Sequence, residues 1–146
     1  MHKVSEIVAE LKISYAAEIE VIENYLAQAS NLEGPRGEPI KEWLDLEVQT
    51  GLSHARRLAR RINALEGQVP GSPELSGLRK ESPAGAGDVD SVLLGAIKTA
   101  DTAITQYEKI IQLCDGHDFV TLDLVIELLV DERERKQQLK SFANSR

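Results

Sequence analysis

Apolar residues recur at steps of three and four along four long stretches of this chain, and polar, Gly- and Pro-rich segments separate them. Ile7, Leu11, Tyr15, Ile22, Tyr25 and Ala29 mark one face of a first helix over about residues 3–30. Gly34, Pro35 and Gly37 stop it. Ile40, Trp43, Leu58, Ile62 and Leu65 mark a second over about 39–66, where Pro39 suits the first turn and Gly67 the C-terminal cap. Leu93, Ile97, Ala100, Ile104, Tyr107, Ile111 and Cys114 mark a third over about 89–114, capped by Asp88 or Asp90 and ended by Asp115-Gly116. Leu122, Val125, Leu128, Leu139 and Phe142 mark a fourth over about 118–142.

Loop lengths then set the topology. A short link joins the first and second helices, and another joins the third and fourth, so each pair is an antiparallel hairpin. Residues 67–88 have almost no apolar content beyond Leu75 and Leu78 and predict a crossover without a core element. Such a crossover carries the chain back along a helix and leaves the second and third helices parallel. The predicted architecture is all-α, a single domain over residues 1–146: a four-helix bundle of two hairpins joined by a long crossover, with no fifth helix. The hairpins resemble each other. Sliding the first helix onto the third superposes Leu11 on Leu93, Ile22 on Ile104 and Tyr25 on Tyr107. Sliding the second onto the fourth superposes Leu58 on Leu139 and His54 on Arg135.

Four polar residues interrupt these apolar stripes: Glu18, His54, Glu132 and Arg135. All lie near the middle of their helices, where they can share a layer. Charge in a bundle core is costly unless paired or bound to metal. Carboxylates and imidazoles on facing helices are what iron or manganese requires, and a Glu and a His three residues apart on one helix face can grip one ion.

Composition narrows the function classes. A formal charge of −7 argues against nucleic acid or an anionic membrane as partner. Arginine pairs such as Arg56-Arg57 and Arg60-Arg61 are interleaved with apolar residues and read as a solvated helix face. The single cysteine, Cys114, excludes an internal disulfide and reads as a small core hydrophobe. The charged N-terminal stretch is unlike a secretory signal, and no apolar run is long enough to span a membrane, so a cytoplasmic location is expected.

The motifs Glu18-x-x-Val21-Ile22-x-x-Tyr25, His54-Ala55 through Ile62-x-x-Leu65-Glu66-Gly67, the long crossover, and Ile126-Glu127-Leu128-Leu129-x-Asp131-Glu132 make this chain resemble the ferritin-like superfamily, in particular its bacterioferritin and rubrerythrin-type bundles. The resemblance implies a di-iron site with one Glu from each of the first and third helices and Glu-x-x-His from each of the second and fourth. Glu18, His54 and Glu132 match ligand positions. Gly51 and Ala100 (or Thr99, with the register one residue earlier) stand where glutamates are implied, and Arg135 where a histidine is implied. Leu52 stands where bacterioferritin places its haem-ligating methionine, which implies no haem. The absence of the short fifth helix of cage-forming relatives favours a homodimer over a 24-subunit shell.

These departures remove two anionic ligands and add a guanidinium that does not deprotonate. The expectation is a degenerate site without a cofactor, in which Arg135 replaces the metal and bridges Glu18 and Glu132 while His54, Tyr25 and Tyr107 complete the network. The chain is then a non-catalytic binding or structural module whose protein partner the sequence does not name. The alternative is an iron enzyme, a ferroxidase or peroxidase, or a mononuclear metal binder, in which Glu47, Asp101 and Glu134 substitute for the missing ligands around Glu18, His54 and Glu132.

Overall fold

The computed structural model describes residues 2–79 and 87–145. Five α-helices run through them: α1 (His2–Asn31), α2 (Glu38–Ala64), α3 (Ser72–Leu78), α4 (Val89–Cys114) and α5 (Phe119–Asn144). Sequence starts and stops explain the ends. Asp88 caps α4 by accepting from the Ser91 amide at 3.0 Å, and Asp118 caps α5 by accepting from the Thr121 amide at 3.0 Å. A 3-10 turn, Pro35–Gly37, links α1 to α2. Gly116 takes φ +76° after α4, a left-handed turn that costs glycine nothing.

The expectation of no fifth helix is corrected by α3, which lies in the crossover. Pro73 sits in its first turn and Glu74 accepts from the Gly71 amide at 3.3 Å. Leu75 is buried, so this segment does reach the core. Its single turn pair of Leu75 and Leu78 was too short to stand out as a period. Residues 80–86 of the predicted crossover lie outside the described residues. The end of α2 differs too. Glu66, not Gly67, takes the left-handed conformation at φ +64°. Gly67 is needed for close packing instead: a Cβ there would lie 2.7 Å from Val8 Cγ1 and 3.1 Å from Ile62 Cγ2.

The four long helices pack as two antiparallel hairpins, α1 with α2 and α4 with α5. One apolar cluster joins the C-terminal half of α1 (Val21, Ile22, Tyr25) to the N-terminal halves of α2 (Ile40, Leu44) and α4 (Val92, Leu93) and to Leu139 of α5. The other joins the N-terminal half of α1 (Ile7, Leu11) to Leu58 and Ile62 of α2, Tyr107 and Ile110 of α4, and Val125 and Leu128 of α5. Hence α2 and α4 run parallel, the direction that the crossover requires. A ladder of polar contacts ties α2 to α5: Trp43 to Gln138, Glu47 to Arg135, His54 to Asp131, Arg57 to Glu127, and Arg61 to Thr121 and Asp118. No helix among the described residues is long and apolar enough to cross a membrane.

Two glycine substitutions separate packing from propensity. Gly67→Ala is expected to lower unfolding free energy by about 1–3 kcal/mol, because Val8 or Ile62 must move. Gly95→Ala, where a Cβ on α4 meets nothing within 4 Å, is expected to raise it by about 1 kcal/mol. Urea unfolding of both variants checks the two signs.

Candidate functional site

Between the two apolar clusters lies a polar layer. Glu18 on α1, His54 on α2, and Glu132 and Arg135 on α5 are each at most 3% exposed. Glu18 Oε1 accepts from the Tyr107 hydroxyl at 2.8 Å and lies 3.4 Å from His54 Nδ1. The other ring nitrogen, Nε2, is 2.9 Å from Asp131 Oδ2. Arg135 donates from Nη1 to both oxygens of Glu132, at 3.0 and 3.3 Å, and from Nε to Glu47 at 2.9 Å. Its guanidinium carbon lies 5.8 Å from the centre of the Tyr25 ring, a cation–π contact.

The expected wiring is corrected in one respect. Arg135 bridges Glu132 and Glu47 and makes no hydrogen bond to Glu18, which Tyr107 and His54 hold instead. One guanidinium has a fixed fork, and Glu132, one turn earlier on its own helix, together with Glu47 across the α2–α5 seam, takes its Nη1 and Nε. Asp131 was missed by sequence reasoning. It sits at the edge of the α5 stripe, half exposed, and only the position of the His54 ring shows its role. Of the proposed substitute ligands, Glu47 joins the layer. Asp101 is exposed and pairs with Lys136, and Glu134 is exposed, so neither reaches it. Gly51 and Ala100 are buried. A Cβ at Gly51 would meet Ile22 Cγ1 at 2.9 Å, so Ile22 now fills part of the space that a glutamate would need.

The electrostatics follow from this wiring. Burial opposes ionisation of Glu18, but the His54 hydrogen bond and the Arg135 charge outweigh it and hold its pKa below the usual value. Burial also opposes protonation of His54, but hydrogen bonds to Glu18 and Asp131 raise its pKa. Glu132 goes the other way. Burial, helped by the charges of Glu18 and Glu47, pushes its carboxyl up to about 7 in spite of Arg135. Burial and the Glu18 carboxylate raise the Tyr107 hydroxyl as well, so it stays a donor.

A di-iron centre does not fit this donor set. Such a centre needs several carboxylate and histidine ligands converging on each ion. Among the described residues no group of three His, Cys, Asp or Glu side chains is placed to hold a metal. The cation facing Glu132 is Arg135, and both ring nitrogens of His54 already face carboxylates. Among the described residues, Glu18 Oε2 and Arg135 Nη2 are buried without hydrogen-bond partners.

Stability should depend on pH through Glu132 and His54. Both bind protons more tightly in the folded chain, so their contributions fade as pH rises. Glu132 acts between its ordinary 4.5 and about 7, and His54 acts above 6.5. Glu18, with a lowered pKa, loses its contribution only as pH falls below 4.5. The unfolding free energy is expected to peak near about pH 5 and to fall by on the order of 2–3 kcal/mol by about pH 7. Glu132→Gln should flatten that interval and leave the decline due to His54. Urea melts across pH on both proteins provide the check.

The model of the ferritin-like domain family matches residues 8–145 of this chain. No curated protein matches the sequence at a significant level. Among solved structures, the chain is similar to a ferritin-like diiron-carboxylate protein from Bacillus anthracis, at 24% identity over 99% of both chains with a TM-score of 0.87. It is similar to the bacterioferritin-related dodecameric thioferritin of Bacteroides fragilis, at 25% identity over 95% of this chain and 84% of that one, with a TM-score of 0.89. A third likeness is to an N-terminal deletion mutant of Dps from Mycobacterium smegmatis, at 20% identity over 99% of both chains with a TM-score of 0.91.

Proposed function

The chain belongs to the ferritin-like domain family, and from that premise we propose that it is a member whose metal position is taken over by a guanidinium, a binding or structural module rather than a ferroxidase. The observation that supports this reading is the clamp of Arg135 on Glu132 and Glu47. A guanidinium keeps its proton throughout the physiological range, so it balances the same carboxylates that would otherwise attract iron. Two divalent ions beside it would meet repulsion at short range in a poorly screened interior. Within the family, the resemblance runs to the bacterioferritin and rubrerythrin-type bundles, with the di-iron ligand set degenerate at Gly51, Ala100 and Arg135. No haem or other cofactor is assigned, and a cytoplasmic location goes with the reading.

The same reading includes a homodimer. Leu26, Leu46, Leu94 and, on α5, Phe119, Val120 and Val130 are large apolar residues at least half exposed, surface that self-association would cover. The Bacteroides fragilis relative is dodecameric. Light scattering on the purified chain is expected to give the mass of two chains, and a twelve-chain particle would contradict this part of the proposal.

Anaerobic addition of ferrous iron followed by oxygen is expected to give wild-type protein no oxidation above the rate in buffer. The converse variant restores the ligand set: Gly51→Glu, Ala100→Glu and Arg135→His, with Ile22→Ala to clear the 2.9 Å contact at position 51. It is expected to bind iron and oxidise it. Oxidation at two irons per wild-type chain would sink the proposal.

A further inference from the structure

A cavity of about 510 Å³ opens between α1 and α4 beside the polar layer. Interiors of folded chains seldom leave spaces much larger than one water, and a space of this size is in the range of small-molecule sites. Its inner end is formed by Glu18, Tyr107, Glu132 and Arg135. Its wall surface is mostly apolar, with Val21 and Ala17 on α1 and Ala103 on α4, and Lys98 and Gln106 of α4 line it as well.

Three of the lining side chains have a buried polar atom with no hydrogen-bond partner among the described residues: Ser14 Oγ, Glu18 Oε2 and Arg135 Nη2. Leaving such groups unmade costs more than an average hydrogen bond gains, most of all for charged ones. Ser14 lies one helical turn before Glu18, on the same face of α1. The site therefore presents on α1 a carboxylate acceptor and a hydroxyl that can accept or donate, and on α5 one donor, Arg135. We propose that this cavity binds a small molecule with an apolar body and a primary carboxamide head, whose carbonyl accepts from Arg135 Nη2 and whose amide nitrogen donates to Glu18 Oε2 and Ser14 Oγ. The inference rests on the reading that no metal occupies the layer.

Charge selects the neutral head. A carboxylate would accept from Arg135 but would stand against Glu18, Glu132 and Glu47. An ammonium would satisfy Glu18 but would stand against Arg135. The carboxylate adds to an existing excess of anions, and the ammonium leaves Arg135 Nη2 without an acceptor while facing its charge in a poorly screened interior. A carboxamide offers the donors and the acceptor without net charge. Water alone satisfies the polar end but leaves the apolar walls wetted, which their composition disfavours.

The probes are hexanamide, hexanoate and hexylamine, one chain length with three heads, titrated by calorimetry into protein whose metal content is measured on the same sample. Hexanamide is expected to bind wild-type protein and to bind at least about tenfold more tightly than either charged analogue. Ser14→Ala should weaken hexanamide by roughly three- to tenfold. Ala103→Leu, which fills the cavity from α4, should abolish binding while the helical content stays that of wild type. Ala17→Leu does the same from α1, should one of the two fail to fold. Metal-free protein that takes up no hexanamide, binds all three probes equally, or binds hexanamide unchanged with the cavity filled overturns this inference alone. Two irons per chain overturns the proposed function and the inference with it.

Discussion

A guanidinium fixed in the middle of a helical bundle constrains everything around it. Arg135 is 3% exposed and its charge cannot be discharged by losing a proton. It must be matched by anions that are themselves buried, and the match must be made by hydrogen bonds at good distance. Glu132 and Glu47 provide it directly. The remaining carboxylate, Glu18, is held by a second cation-capable group, His54, which Asp131 backs from the far side. Two cationic centres and four carboxylates thus sit together across α1, α2 and α5. Burial, with the neighbouring carboxylates Glu18 and Glu47, raises the Glu132 carboxyl to about 7 against the pull of Arg135.

That layer also organises the core. Apolar packing occurs above and below it, in two clusters that each draw on all four long helices. The clusters hold the hairpins together. The layer and the α2–α5 ladder set the register in which they meet, since shifting α5 by one turn would separate Arg135 from Glu47 and Asp131 from His54 together. On the opposite seam, between α1 and α4, Tyr107 reaches Glu18, while the small side chains of α4 leave the cavity. Polar contacts thus tie both seams, with Gln106 and Lys109 of α4 also reaching Glu10 of α1, and the cavity lies along the second.

The helices were legible in the sequence because their periods are long and their ends carry recognisable signals. The caps at Asp88 and Asp118 and the turn at Gly116 are local chemistry. The polar layer was legible because Glu18, His54, Glu132 and Arg135 break apolar stripes at mid-helix. Its wiring was not. Whether Arg135 takes Glu18 or Glu47 depends on the reach of side chains across a seam, and Asp131 looks like any stripe-edge carboxylate until the His54 ring is placed. Gly51 and Gly67 both read as sequence signals, a lost ligand and a cap. In space both mark close approaches, to Ile22 and to Val8. The short helix α3 was hidden by its length and by a Gly- and Pro-rich context.

In the proposed function, Arg135 holds the position that metal occupies in an iron-binding relative. The most direct measurement is a crystal structure of protein from iron-supplemented cells, with anomalous scattering recorded at the iron absorption edge. The expected result is no anomalous peak within the bundle and Arg135 density running between Glu47 and Glu132. A peak between Glu18, His54 and Glu132, with Arg135 swung out of the layer, would contradict it.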